Sequence, residues 1–209
     1  MNRICYTLLS DGSSDRMLMP ALNWLLRHHL PNHAIEPQWA DLRRMPRPPK
    51  KLSDRIKLAL ELYECDLLFI HRDAEKHPAS SRYEEIYSAL TDIVTPPVVC
   101  VVPVRMQEAW LLFDEHAIRK AAGYPNGKLS IELPEESTIE NLPDPKTLLF
   151  QLIKKASGLS GARLKKLKPN SLAHHISQAI DDFSPLLKMP SFKRLEQDLI
   201  QVTTKDFAR

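Results

Sequence analysis

Cysteine is scarce in this chain, and its spacing excludes two common uses. The three residues, Cys5, Cys65 and Cys100, all lie in or beside apolar runs. An odd count without any CxxC pair argues against a disulfide framework and against a thiolate zinc site, so reduced core thiols are expected. Long apolar runs are also missing: none approaches the ~20 residues needed to cross a bilayer. Met1-Asn2-Arg3 leads into a short strand-like run ending in an acid, unlike a secretory leader with its apolar stretch and small-residue cleavage site. A cytoplasmic protein without a membrane partner is the expectation. Neither a Walker A loop nor a GxGxxG turn occurs, so two glycine-rich nucleotide cradles have no support. No internal repeat is visible.

What remains is an ordinary globular balance. The 209 residues are 43% hydrophobic and 26% charged, with a formal net charge of +3. That is apolar material enough for a core, and a mild excess of base that does not by itself indicate nucleic acid. The first half alternates strand-like and helix-like segments. Strands are expected at 4–10, 34–39, 66–71 and 98–104, the last two as continuous apolar runs of buried type. Helices are expected at 15–29, 52–64 and 81–90, the first capped by Ser13 or Ser14, with Pro20 producing a kink or a late start. This alternation implies an α/β fold with a mainly parallel sheet between helices. After Glu108 the pattern turns helical: 108–122 closed by Gly123, then an irregular connection at 124–145, then helices at 146–156, 171–183 and 191–201. The layout is an α/β core at residues 1–123, followed by a linker and C-terminal helical elaboration at 124–209 packed on that core.

Two acidic clusters stand at strand ends. Asp11-Gly12-Ser13-Ser14-Asp15 follows the first strand and His71-Arg72-Asp73-Ala74-Glu75 the third. In an open α/β sheet the carboxyl ends of neighbouring strands line one crevice, where ligands bind. Carboxylates gathered there repel unless a proton or cation intervenes, which points to a divalent metal and through it to phosphate chemistry. Taken singly, the first cluster also reads as a turn with a helix cap and the second as a solvated loop.

A strand ending in an acid and a Gly, a helix, and a later strand ending in Asp-x-acid resemble the TOPRIM fold. That fold is shared by topoisomerases, DnaG-type primases and small nucleases of the overcoming-lysogenization-defect type. Asp11 stands at the family's Glu, with Gly12 beside it and Asp15 as the following acid; Asp73 and Glu75 match its Asp-x-Asp pair. The swaps at 11 and 75 keep ligand number and charge and change each reach by a methylene. Val102-Pro103-Val104 with Glu108-Ala109-Trp110 and Asp114, and Pro190-Ser191-Phe192-Lys193, look like segments of small uncharacterised TOPRIM-like proteins. The resemblance implies a Rossmann-like TOPRIM core and a Mg²⁺ (or Mn²⁺) site of Asp11, Asp73 and Glu75, with Asp15 and Glu108 completing a second metal position. It further implies nuclease activity on DNA or RNA, a prokaryotic setting of defence against mobile elements, and a partner ATPase. His71 shares strand parity with Asp73 and is an acid/base, ligand or water-positioning candidate; Lys146, Lys193 and Arg105 are candidate transition-state cations. Trp110 reads as core.

Two basic stretches flank these motifs. One holds Arg43, Arg44, Arg47, Lys50, Lys51, Arg55 and Lys57 in a proline-rich loop and the helix after it; the other holds Lys154, Lys155, Arg163, Lys165, Lys166 and Lys168. They read either as solvated faces or as phosphate-backbone contacts, for which Arg43, Arg44, Arg47, Lys50, Lys51, Lys165 and Lys166 are the chosen candidates. Two rivals to the nuclease remain open: a non-catalytic TOPRIM-like nucleic-acid-binding or regulatory subunit, and a different α/β phosphate enzyme using the same crevice.

Overall fold

A computed structural model describes residues 2–206, the side chains of Arg44 and Asp206 excepted. Four strands, β1 (Asn2–Leu9), β2 (His33–Ala40), β3 (Leu67–His71) and β4 (Val98–Val101), form one sheet in the order β2-β1-β3-β4. All three pairings are parallel. The fold is therefore α/β. The chain leaves β1 for β2 on one side and returns to β3 on the other, so the connections diverge between β1 and β3. That divergence opens a crevice at the carboxyl ends of these two strands.

Alternation along each strand sends side chains to two separate cores. Tyr6, Leu8, Leu67, Phe69, Val99 and Val101 share one cluster with α1 (Met19–His29) and the later helices α4 (Glu115–Ala121), α5 (Pro145–Ala156), α7 (Pro169–Ala179) and α8 (Pro190–Asp206). Leu9, Leu68, Ile70 and Cys100 share the other with α2 (Leu52–Leu62) and α3 (Ala79–Leu90). The three cysteines are free thiols, Cys5 and Cys100 buried. Among the described residues no helix is long and apolar enough to cross a membrane.

Several elements are shorter than their periodicity suggests. The first helical segment begins as a 3-10 turn at Ser14–Leu18, and α1 starts only at Met19 with Pro20 in its first turn. Proline lacks an amide hydrogen that this position does not need, so it marks a start here and not a kink. Neither serine caps it: Ser13 makes no capping bond, and the Ser14 hydroxyl donates to Asp15 Oδ1 at 3.1 Å. β4 ends at Val101, short of the expected 104, because Pro103 cannot extend the ladder as a donor. The stretch from Glu108 is not one helix. A 3-10 turn at Gln107–Leu111 is followed by α4, whose N-cap Asp114 accepts from the Ala117 amide at 2.8 Å. The helix expected at 171–183 begins earlier, at Pro169, and ends at Ala179. A further short helix, α6 (Gly161–Lys166), carries Lys165 and Lys166.

The connection at 124–145 lacks long elements yet is tied down. Ile131 and Ile139 are buried, and the Arg119 guanidinium donates to the Leu129 carbonyl at 2.6 Å. Glu140 accepts from the Ser191 amide at 3.1 Å and from the Ser191 hydroxyl. That hydroxyl oxygen accepts in turn from the Trp110 indole N–H at 3.2 Å, and Trp110 meets Phe192 edge-to-face at 5.0 Å. Glu108-Ala109-Trp110 and Pro190-Ser191-Phe192 therefore meet in the interior, with Trp110 in the core as expected.

Ser191→Ala strands the buried indole N–H and removes a donor from Glu140 while leaving apolar packing in place. It is expected to cost about 1–3 kcal/mol, measured as a lower midpoint in urea unfolding; an unchanged midpoint would show that the junction carries no stability.

Candidate functional site

The turn after β1 is built around Asp15. Its carboxylate folds back to accept from the Gly12 amide at 2.6 Å, and a Cβ added at Gly12 would lie 3.2 Å from that carboxylate. Glycine here makes room for a buried acid, since Asp15 is only 5% exposed. Across the crevice, the segments after β3 and β4 continue side by side. The Arg72 amide donates to the Val101 carbonyl, Ala74 to Pro103, and Glu75 to Arg105 at 2.8 Å. Glu75 and Arg105 both adopt left-handed backbone, φ 55° and 62°. For residues with a Cβ that conformation costs about 1–2 kcal/mol each, and such strain gathers at binding sites.

Gln107 links the two sides. Its backbone amide donates to Asp73 Oδ1 at 2.9 Å and its side-chain amide to Asp15 Oδ1 at 2.7 Å. Its side-chain carbonyl oxygen is buried without a hydrogen-bond partner among the described residues. Glu108 is buried beside it, with Lys146 Nζ 3.4 Å from its carboxylate. The buried Asp15 and Glu108 thus lie near Asp73, which is partly buried. Burial is the main reason the Asp73 carboxyl is pushed up to about 6; His71 opposes the shift, and repulsion from Glu108 and Asp15 adds to it. His71 is buried, with Nδ1 3.0 Å from the Val101 carbonyl and Nε2 3.6 Å from Asp73 Oδ1. A carbonyl only accepts, so Nδ1 carries the hydrogen and Nε2 faces the acid.

The outer acids are engaged by arginines. Asp11 receives both Arg55 and Arg72. Arg72 also pairs with Glu85 at 2.8 Å, Glu85 with Arg82 at 2.8 Å, and Arg82 with Glu75 at 3.4 Å. Asp11, Gly12, Asp15, His71, Arg72, Asp73, Glu75 and Arg82 line a common pocket of about 240 Å³. Of the expected ligands, Asp11, Asp15, Asp73 and Glu75 share this opening, in two electrostatic settings: Asp15 is buried and Asp73 partly buried, close enough to repel, whereas Asp11 and Glu75 are exposed and neutralised. Among the described residues no three His, Cys, Asp or Glu side chains already stand at metal-ligand spacing.

The remaining candidates are scattered. Lys193 is exposed on α8, and Arg105 contributes its backbone to the crevice. Arg43 pairs with Asp41 at 2.7 Å, Arg55 belongs to Asp11, and Arg47, Lys50, Lys51, Lys165 and Lys166 are exposed; the Arg44 side chain lies outside the described residues. Sequence reasoning passed over Arg72, Arg82, Glu85 and Gln107. Arg72 and Gln107 sit inside or beside motifs that did attract notice, so their adjacency was the available signal; the reach of Arg82 and Glu85 from α3 left none. Comparison with protein-family models, curated proteins and solved structures finds no match.

Because folding raises the Asp73 pKa, its stabilising share is complete below about pH 4, the unfolded value, and is lost as pH rises through about 6. Asp73→Asn keeps an acceptor for the Gln107 amide and removes the buried charge. It is expected to be neutral near pH 4 and to stabilise by about 1–2 kcal/mol near pH 8, after discounting for partial exposure. Urea unfolding at the two pH values measures this; destabilisation at both would mean that Asp73 serves as a structural ion.

Proposed function

We propose that this protein is a metal-dependent phosphodiesterase acting on nucleic acid, with a TOPRIM-like core. The observation that carries the reading is the cluster at the β1–β3 switch point of Asp15 and Asp73, joined by Gln107, with Glu108 beside them; Asp15 and Glu108 are buried and Asp73 partly so. Structural acids in a fold are usually neutralised, as Asp11 and Glu75 are here by arginine. Among the described residues Asp15 and Asp73 have no arginine partner and suit a divalent cation, which relieves both burial and repulsion, while Glu108 beside them is met by Lys146. The donors are hard oxygens, and the unpartnered Gln107 carbonyl adds another, a set that suits Mg²⁺ or Mn²⁺.

Asp73, Asp15 and Glu108 would hold the ion once their side chains turn to a common point, with Asp11 within the same pocket. When bound, the ion would polarise a phosphoryl oxygen and lower the pKa of a water. The protein's own groups do the rest. Arg72, Arg55 and Arg82 place guanidiniums at the rim, where a phosphate competes with Asp11 and Glu75 for them. Lys146 beside Glu108 offers positive charge to the leaving side. His71, fixed by the Val101 carbonyl, holds its Nε2 toward Asp73 and orients that carboxyl. Defence against mobile elements and a partner ATPase belong to the same proposal and rest on the resemblance alone.

A second reading, a binding subunit without catalysis, is favoured by one observation: no three acids already stand at ligand spacing among the described residues. Metal-dependent nicking of supercoiled plasmid and cleavage of labelled RNA decide between them. Wild type with Mn²⁺ or Mg²⁺ is expected to cleave, and Asp73→Ala or Asp15→Ala to lose about 100-fold or more, equivalent to several kcal/mol of transition-state stabilisation. Absence of metal-dependent cleavage, together with calorimetry showing no metal uptake that depends on Asp73, would establish the binding subunit.

A further inference from the structure

A second and larger cavity, about 750 Å³, is lined by Ser13 and Ser14 of the turn that also carries Gly12 and Asp15 of the acidic pocket, and by the buried Glu108. Its walls come from parts of the chain far apart in sequence: the turn after β1, the end of β2 and the turn beyond it, α5, and the first turns of α7. Two aromatic rings line it, and each carries a cation. Trp39 has the Arg16 and Arg43 guanidiniums 5.8 Å and 5.5 Å from its ring centre, and Phe150 has Lys146 Nζ at 5.9 Å. The Trp39 ring is oriented by its indole N–H, which donates to Ser10 Oγ at 3.0 Å. His174 also lines the cavity. Arg43 is committed to Asp41 at 2.7 Å, whereas Lys146 Nζ lies 3.4 Å from the Glu108 carboxylate.

Flat rings with cations beside them are the chemistry of unstacked bases and the phosphates between them. A paired duplex hides its base faces in the stack and presents only backbone and groove edges, so it cannot use Trp39 or Phe150 in this way. The volume is that of a pocket for one small ligand, sufficient for one or two nucleotides and not for a long track. We propose that this groove seats one or two unpaired nucleotides of a single-stranded polynucleotide, next to the carboxylate centre. Arg16 meets the phosphate, and Trp39 and Phe150 meet base faces. This rests on the nuclease reading, since it names the substrate strand of that same centre; the binding itself needs no metal.

The test is fluorescence anisotropy in EDTA with a labelled 12-nucleotide single strand, as DNA and as RNA, against the same sequence in a duplex. The single strand of at least one sugar type is expected to bind at least tenfold tighter than the duplex. Trp39→Ala and Arg16→Ala are each expected to weaken it about 5- to 100-fold. Intrinsic fluorescence gives an independent readout. Titration with the single strand should quench wild type, and Trp39→Phe, which keeps an aromatic face, should bind with that quench lost. Equal affinity for duplex, or affinity unchanged in both Trp39→Ala and Arg16→Ala, would overturn the proposal. Because no metal is present, these results are separable from cleavage. Groove-dependent binding without Asp73-dependent cleavage would sink the nuclease reading alone, and cleavage of duplex without groove dependence would sink this one alone.

Discussion

Asp15, Asp73 and Glu108 repel one another in a crevice from which much of the water has been removed, and the architecture around them answers that repulsion. A buried carboxylate that meets no cation must hold a proton or receive hydrogen bonds. Asp15 receives hydrogen bonds from the Gly12 amide, the Ser14 hydroxyl and the Gln107 side chain. Asp73 takes part of each, accepting from the Gln107 amide while its proton affinity rises. Glycine at 12 follows from this, because a side chain there would crowd the Asp15 carboxylate. So does the pair of left-handed residues, Glu75 and Arg105, whose mutual hydrogen bond holds the loop that carries Asp73 against the loop that carries Gln107.

The sheet supplies the rigidity that makes such a cluster affordable. β1 and β3 are central, paired on both sides, and nearly every side chain on them is buried. Their ends are therefore fixed points from which short turns can place acids with little freedom. One face of the sheet is closed by α2 and α3, which bring Arg55 and Arg82 to the rim. The other is closed by α1 and the later helices, which bring Lys146 and His174 to the neighbouring groove. Helices on opposite faces thus arm two openings, one lined by Asp15 and Asp73 and the other by Glu108.

Some of this was legible in the chain and some was not. The continuous apolar runs at Leu67–Ile70 and Val98–Val101 announced buried parallel strands, and the acids after β1 and β3 were visible as punctuation. Local stops were harder to read. Pro20 could mark a kink or a start, and only the packing of Met17 and Leu18 as a 3-10 turn made it a start. The run from Glu108 to Ala122 has helical spacing, but Asp114 caps a new helix and breaks it. At the site, nothing in the order of residues separated Asp11 from Asp15, which occupy the same short motif. Arg55 and Arg72 are 44 and 61 residues from Asp11 in sequence, and their arrival there sets its role.

By itself the sequence determined the α/β class, the strands that would be buried, and the acids that would stand at their carboxyl ends. Those features depend on local patterns: hydrophobic runs, turn residues and the alternation of periods. Only the tertiary structure decided which acids are buried together, which are neutralised by arginine, and that Trp39, Phe150 and His174 face one cavity. The physical reason is range. Charge, burial and stacking act through space over a few ångströms, between groups that the chain order keeps far apart until the sheet is assembled.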